Sequence, residues 1–180
     1  MNRPRPRLVL AALRGGAGKT TLSVALAVAF RKHGFPVVPF KKGPDYIDAA
    51  WLAQAADGFC YNLDTFLIGR EQVLVSFSLR APERGLSLIE GNRGLYDGMN
   101  QEGEHSTAEL AKLLHAPVIL VVDCEKATRT AAAMVLGCQR FDPMVDIRGV
   151  ILNRIATNRQ AALAKKAVEE HCRIPVFGIV

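Results

Sequence analysis

The sequence has no apolar run approaching the roughly 18 residues of a membrane-spanning helix, so a membrane-embedded protein is not expected. It also lacks any C-x-x-C pair. Cys60, Cys124, Cys138 and Cys172 stand at spacings that match no zinc site, and reduced structural thiols are the expectation. Aromatic residues are scarce, at 7%, and are not interleaved with basic ones. No Lys/Arg block occurs beyond Lys41-Lys42 and Lys165-Lys166. The formal charge of +6 is therefore scattered, which suits a small anionic ligand better than a nucleic acid or a membrane surface. Ser23, Ser106, His33 and His105 sit in no nucleophile-elbow pattern, which argues against a serine hydrolase. The basic opening, residues 1–7, lacks the apolar stretch and small-residue cleavage site of a secretory leader, and a cytoplasmic protein is expected. There is no Pro/Ser-rich linker and no internal repeat. With 180 residues, 49% hydrophobic and 22% charged, one domain with a real core is expected over residues 1–180.

What is present is an alternation. Short continuous apolar runs predict strands at residues 8–12, 37–40, 86–89, 118–122 and 147–152, with a last strand starting at 175. Helical spacing predicts helices at 20–33, 49–56, 71–79, 106–114, 127–138 and 159–171. Ser106 or Thr107 is the expected N-cap of the fourth helix, with Glu109 close to a capping-box position. Such alternation specifies an α/β fold: a mostly parallel sheet with helices on both faces. In such sheets ligands sit beyond the carboxyl ends of the strands. Every chemically rich segment falls at such an end: residues 14–20, 41–48 and 90–97, and Asn153.

The first of these runs Leu13-Arg14-Gly15-Gly16-Ala17-Gly18-Lys19-Thr20-Thr21. It fits the Walker pattern G-x-x-x-x-G-K-[ST] in strand–loop–helix context, except that Leu13 replaces the first glycine. Glycines let the backbone curl so that N–H groups point at phosphate oxygens, and the helix N-terminus adds positive potential. Lys19 is expected to reach the β- and γ-phosphates of ATP, and Thr20 to coordinate Mg²⁺. Arg14 stands where the "deviant" Walker loop of K-G-G-x-G-K-T ATPases has an extra lysine. That resemblance points to a class including partition ATPases, dethiobiotin synthetase and amidoligases. In several of them the extra cation reaches a phosphate across a dimer interface, which raises a homodimer as one expectation. A solvated surface arginine is the alternative for Arg14.

The second strand opens into Lys41-Lys42-Gly43-Pro44-Asp45-Tyr46-Ile47-Asp48. Asp45 and Asp48 are candidates to coordinate Mg²⁺ or orient a substrate, and Lys41 to stabilise charge on a transferring phosphoryl group. For Asp48, a helix N-cap is the competing reading. The third predicted strand ends in Glu90-Gly91-Asn92-Arg93-Gly94-Leu95-Tyr96-Asp97. Glu90 closes an apolar strand, the place of a metal-holding acid beside a phosphate loop. Asp123, closing residues 118–122, is its rival. Gly91 and Gly94 favour Glu90, since they allow close approach.

Together these loops, with Asn62-Leu63-Asp64, the run from Ser106 to Leu114 and Gly149-Val150-Ile151-Leu152-Asn153-Arg154, resemble the cobyrinic acid a,c-diamide synthase family. The resemblance covers nearly the whole chain, but only the synthetase half of the family. The C-terminal glutamine amidotransferase domain is expected to be absent. It implies ATP- and Mg²⁺-dependent amidation of two peripheral carboxylates of a tetrapyrrole through acyl phosphates, with ammonia supplied by a glutaminase domain. It places metal and acyl-phosphate roles on Asp45, Asp48, Glu90 and Asp97, with Asn153, Arg154 and Pro175 near the adenine. Asn92-Arg93 departs from the apolar residues of many corrinoid members. Sirohaem and nickel-sirohydrochlorin amidases therefore stay open as alternatives, with a partition-type ATPase switch behind them.

Overall fold

The computed structural model describes residues 5–180; the first part of the basic opening, Met1 to Pro4, lies outside the described residues. The chain alternates strand and helix throughout: β1 (Arg7–Ala12), α1 (Lys19–Lys32), β2 (Val37–Lys42), α2 (Ile47–Ala56), β3 (Tyr61–Leu63), α3 (Gly69–Arg80), β4 (Leu86–Glu90), α4 (Thr107–Leu113), β5 (Val118–Asp123), α5 (Arg129–Phe141), β6 (Ile147–Asn153), α6 (Asn158–Cys172) and β7 (Val176–Ile179). The strands form one seven-stranded sheet in the order β3-β2-β4-β1-β5-β6-β7, and every pairing is parallel.

Burial explains the apolar runs. Central β4 is buried at all its positions, whereas edge β7 alternates between half-buried and exposed. Successive residues of β1 go to opposite faces. Val9 and Ala11 pack in the core under α3 to α6, while Leu10 and Ala12 pack with Leu22 and Leu26 of α1. A strand covered on both faces has no polar side to show, hence its continuous hydrophobicity. Ser106 caps α4, its Oγ accepting the Glu109 N–H at 3.2 Å. Glu109 Oε2 in turn accepts the His105 N–H at 2.7 Å. Among the described residues no helix is long and apolar enough to cross a membrane.

The sequence reading misses one element. Tyr61–Leu63 is a strand, so the predicted third strand is in fact β4. With three residues at the sheet edge, one of them exposed, β3 offers no apolar run to detect. Helix α2 also starts earlier than predicted, at Ile47, which puts Asp48 in its first turn.

Candidate active site

Both gaps at the centre of the sheet's carboxyl edge are filled by glycine loops. In the β1–α1 loop, Gly16 and Gly18 have φ of +71° and +94°, which a residue with a Cβ adopts reluctantly. Gly18 starts α1, and no side chain caps its first amides. Those N–H groups therefore remain for an anionic ligand. Behind the loop, Asn153 Nδ2 donates to the Ala17 carbonyl at 2.9 Å and fills the space a Cβ on Gly18 would need. Arg154 donates to the Gly16 carbonyl at 2.9 Å. These two residues close β6 and brace the loop from its outer side. Thr21 lies exposed on α1.

Lys19 is buried, and its Nζ donates to the Arg93 carbonyl at 2.7 Å and to the Arg14 carbonyl at 3.4 Å. Burial pushes its ammonium below the usual lysine value, and Lys41 adds to this; Glu90, Asp48 and Asp97 oppose it. Next to it, Thr20 Oγ1 donates to Glu90 Oε1 at 2.6 Å, and Asp48 Oδ2 lies 3.3 Å away. Lys41 is 2% exposed. Its Nζ donates to Asp48 Oδ2 at 2.7 Å and Glu90 Oε1 at 2.8 Å. Burial works against the Lys41 charge, but Glu90 and Asp48 outweigh it and hold the ammonium above its ordinary value. Burial would likewise raise Asp48, yet Lys41, Thr20 and Asp45 pull it below the ordinary carboxylate value. Glu90 is 0% exposed, and its Oε2 has no partner. A buried carboxylate oxygen without a donor is costly, and here it belongs to the carboxylate whose other oxygen accepts from the phosphate loop's threonine.

The two loop aspartates divide their work. Asp45 Oδ1 accepts the Asp48 N–H at 3.0 Å, so Asp45 caps the start of α2. The carboxylate of Asp48 is thereby free to face Thr20 and Lys41. Asp97 Oδ2 accepts the Gly94 N–H at 2.9 Å and holds the loop after β4. Asp123, the rival of Glu90, receives Arg14 at 2.6 Å and Arg154 at 2.7 Å. Burial raises it, but the Glu125 N–H, Arg154 and Arg14 together set it below the carboxylate range. Asp123 thus answers two guanidinium groups and leaves Glu90 as the acid at Thr20. Arg14, expected as either a phosphate cation or a solvated side chain, is 65% exposed and shares Asp123 with Arg154.

Pro175 is not brought to the site. Its carbonyl accepts the Val150 N–H, three residues before Asn153 on β6, at the amino end of β7. Two residues that enter the sequence reading only as a cap candidate and as part of the family resemblance hold the site's loops in place. Thr107 Oγ1 exchanges hydrogen bonds with the Asn92 backbone at 3.1 Å and packs where a Cβ on Gly91 would lie. Asn62 Nδ2 donates to the carbonyls of Gly43 and Asp45 at 2.7 and 2.9 Å, so β3 holds the loop after β2. Beside the Lys41–Glu90 pair opens a cleft of about 470 Å³ between the loops after β2, β3 and β4.

The comparisons with known proteins agree with this geometry. A family profile described as the CobQ/CobB/MinD/ParA nucleotide binding domain matches residues 8–180. The cobyrinate a,c-diamide synthase of Magnetococcus marinus is 47% identical over 175 residues, covering 97% of this chain and 38% of that protein. The hydrogenobyrinate a,c-diamide synthase of Streptomyces coelicolor is 46% identical over 176 residues, covering 97% of this chain and 36% of that protein. The chain thus spans well under half the length of these relatives. Among solved structures, the chloroplast FtsY of Physcomitrella patens aligns with a TM-score of 0.66 at 20% identity, over 99% of this chain and 59% of that one. FtsY from Elizabethkingia anophelis aligns with a TM-score of 0.68 at 16% identity, over 99% of this chain and 59% of that one. The FtsY likeness is one of fold: a parallel sheet with a phosphate loop after its first strand. On the profile match, the chain belongs to the CbiA family, the CobQ/CobB/MinD/ParA nucleotide binding domain.

Proposed function

We propose that this chain is the ATP-binding synthetase domain of an enzyme that amidates peripheral carboxylates of a corrin precursor, cobyrinate or hydrogenobyrinate. The observation that carries the proposal is the cluster of Thr20, Lys41, Asp48 and Glu90 packed against the phosphate loop. A nucleotide switch needs a metal acid; it does not need a buried lysine bridging two carboxylates beside an open cleft. The names of the relatives supply the substrate class.

The chain's residues would act as follows. The amides of residues 15–20 cradle the ATP phosphates, and Lys19 leaves the Arg93 carbonyl to neutralise the γ-phosphate. Thr20 and Glu90 would hold Mg²⁺, with Asp45 or Asp48 reached through water. The orphaned Glu90 Oε2 fits this role, since it lacks a partner where a hard cation would sit. No group of three or more His, Cys, Asp or Glu residues converges on one point among the described residues. That also suits Mg²⁺, which takes one or two carboxylates and completes its sphere with phosphate oxygens and water. Held by Thr20 and Glu90, Mg²⁺ would supply positive charge that offsets that of the phosphates. Lys41 stands where it can stabilise charge on the transferring phosphoryl group. The acceptor carboxylate attacks the γ-phosphorus, ADP leaves, and an acyl phosphate forms. Ammonia then attacks the acyl carbon, phosphate leaves, and the nitrogen loses a proton. No protein nucleophile is required; positioning and charge do the work.

Ammonia would come from a glutaminase outside residues 1–180. Cys124 is 0% exposed, and burial raises its thiol to about 11, which makes it a poor nucleophile. The second reading is a sirohaem-type ring as acceptor, favoured by the cationic Arg93 at the cleft. The test supplies MgATP, cobyrinic, hydrogenobyrinic or sirohaem-type acceptors, and either ammonium or glutamine, and follows amide formation by mass. Amidation with ammonium and not glutamine is expected. ATP turnover indifferent to every acceptor would overturn the proposal in favour of a switch.

A further inference from the structure

The cleft beside Lys41 and Glu90 carries two cations that no acid answers. Lys42 ends β2, and Arg93 lies in the loop after β4; both line the cleft. The loops touch, since a Cβ on Gly43 would lie 3.5 Å from Asn92 Nδ2. Among the described residues, neither the Lys42 ammonium nor the Arg93 guanidinium forms a salt bridge. Lys42 is half-buried, and burial, Arg93 and Lys41 together hold its ammonium below the ordinary value against the opposing pull of Asp64. The acids of the cleft serve their own loops. Asp64 Oδ1 accepts the N–H groups of Phe66 and Leu67, and Asp97 Oδ2 accepts that of Gly94. Arg93 has φ +49°, and its carbonyl accepts Lys19 Nζ. Its backbone thus belongs to the phosphate site while its side chain belongs to the cleft. The apolar side chains of Phe66, Leu67 and Met99 line the same cleft and are 56%, 62% and 62% exposed. Mutually repelling cations under an apolar rim suit a ligand with an apolar body and several anionic arms.

We propose that Lys42 and Arg93 receive a carboxylate of the acceptor other than the one being activated, and so fix which carboxylate reaches Lys41 and the phosphate loop. This rests on the amidation reading. The two residues are positioning residues: they touch an arm of the substrate remote from the reacting bond. The γ-phosphate is the other anion within reach of Arg93. The cleft, however, is lined by the loops after β2, β3 and β4 and by no residue of the phosphate loop, which favours the acceptor.

The test titrates the chain, loaded with Mg²⁺ and a non-hydrolysable ATP analogue, with cobyrinic acid and with its full methyl ester, following the absorbance of the ring. Lys42→Met and Arg93→Met should each weaken binding of the acid about tenfold, as loss of a charge-assisted contact does. Arg93→Lys should recover part of the loss, and binding of the ester and of nucleotide should not change. In turnover with ammonium, the ratio of the two monoamide isomers should shift in the methionine variants, which a purely structural lesion would not do. Wild-type affinity for the acid in both variants would overturn the inference and leave the amidation reading standing. A loss confined to nucleotide affinity would assign Arg93 to the phosphates and overturn it as well. Wild-type protein that binds neither acid nor ester would sink the amidation reading itself.

Discussion

The two rims of the phosphate loop use charge in opposite ways. On the β2–β4 side, Lys41, Asp48 and Glu90 are drawn into the protein, with Lys41 2% and Glu90 0% exposed, and one Glu90 oxygen left without a donor. On the β5–β6 side, Asp123, with its side chain 8% exposed, is flanked by Arg14 and Arg154, whose side chains are 65% and 45% exposed, and nothing in that triad lacks a partner. Buried charges interact strongly and are poised to exchange one partner for another when a ligand arrives. In the second group the cations stay hydrated at the surface and the acid has all its partners, so the triad mainly holds a loop in shape. The difference assigns chemistry to the first rim and bracing to the second.

The largest effect is expected from breaking the first rim. Lys41→Met leaves Glu90 buried beside Asp48 with no cation, and losing one partner of a buried ion pair costs about 3–5 kcal/mol. Urea unfolding should show that loss. If stability falls by less than about 1 kcal/mol, in the range of a surface pair, Lys41 is not the counter-charge the geometry makes it.

Lys19→Ala tests the shared floor of both rims. Lys19 is bonded only to carbonyls, so its removal strands no carboxylate and the fold should survive. ATP-dependent chemistry should drop about 10²–10³-fold, the cost of losing one group that stabilises transition-state charge. Undiminished turnover with unchanged circular dichroism would remove the loop from the reaction.

A third, smaller effect is set by pH. Asp48 lies below its ordinary value of 3.8 in the folded chain, so the stability it confers is complete above 3.8 and is lost as pH falls through the depressed value. Lys41 lies above 10.5, so its share is complete below 10.5 and is lost as pH rises through the raised value. The stability difference between wild type and Asp48→Asn should therefore shrink towards acid and hold flat at neutral pH. A difference that stays undiminished as pH falls far below 3.8 would show that Asp48 acts through something other than its charge.

The same contrast shows what a sequence can disclose. The phosphate loop is readable because its backbone demands glycine at positions 16 and 18 and because the lysine and threonine follow in fixed register. The sheet is readable where strands are buried on both faces, as β1, β4 and β5 are, and not at the edge, where three-residue β3 carries no run. The position of Glu90 at a strand end is readable. The division of labour between Asp45 and Asp48 is not, since either acid at a loop–helix junction can cap or face outward, and only the start of α2 at Ile47 decides it. The hold of the Arg93 carbonyl on Lys19 is invisible in principle, because a backbone carbonyl has no sequence signature.

The smallest effect belongs to the outer rim. Asp123→Asn removes the charge that Arg14 and Arg154 share and leaves a single oxygen to accept from them, since the amide NH2 can only donate. Both guanidinium groups already face solvent and can be hydrated there, so nothing buried is stranded. The Asp123 side chain is itself only 8% exposed, so its charge-assisted hydrogen bonds exceed fully exposed pairs, and a loss of about 1–3 kcal/mol, below that at Lys41, is expected. Arg154 also holds the Gly16 carbonyl, a contact the substitution does not touch, so the loop should keep its shape and ATP affinity should change by less than about threefold. The effect should also fade with salt, since screening at about 1 M reaches within 3 Å. If instead Asp123→Asn abolishes ATP-dependent chemistry while Glu90→Gln spares it, the two rims have been assigned the wrong way round. Asp123, freed from its arginines when nucleotide binds, would then be the acid that serves the phosphates.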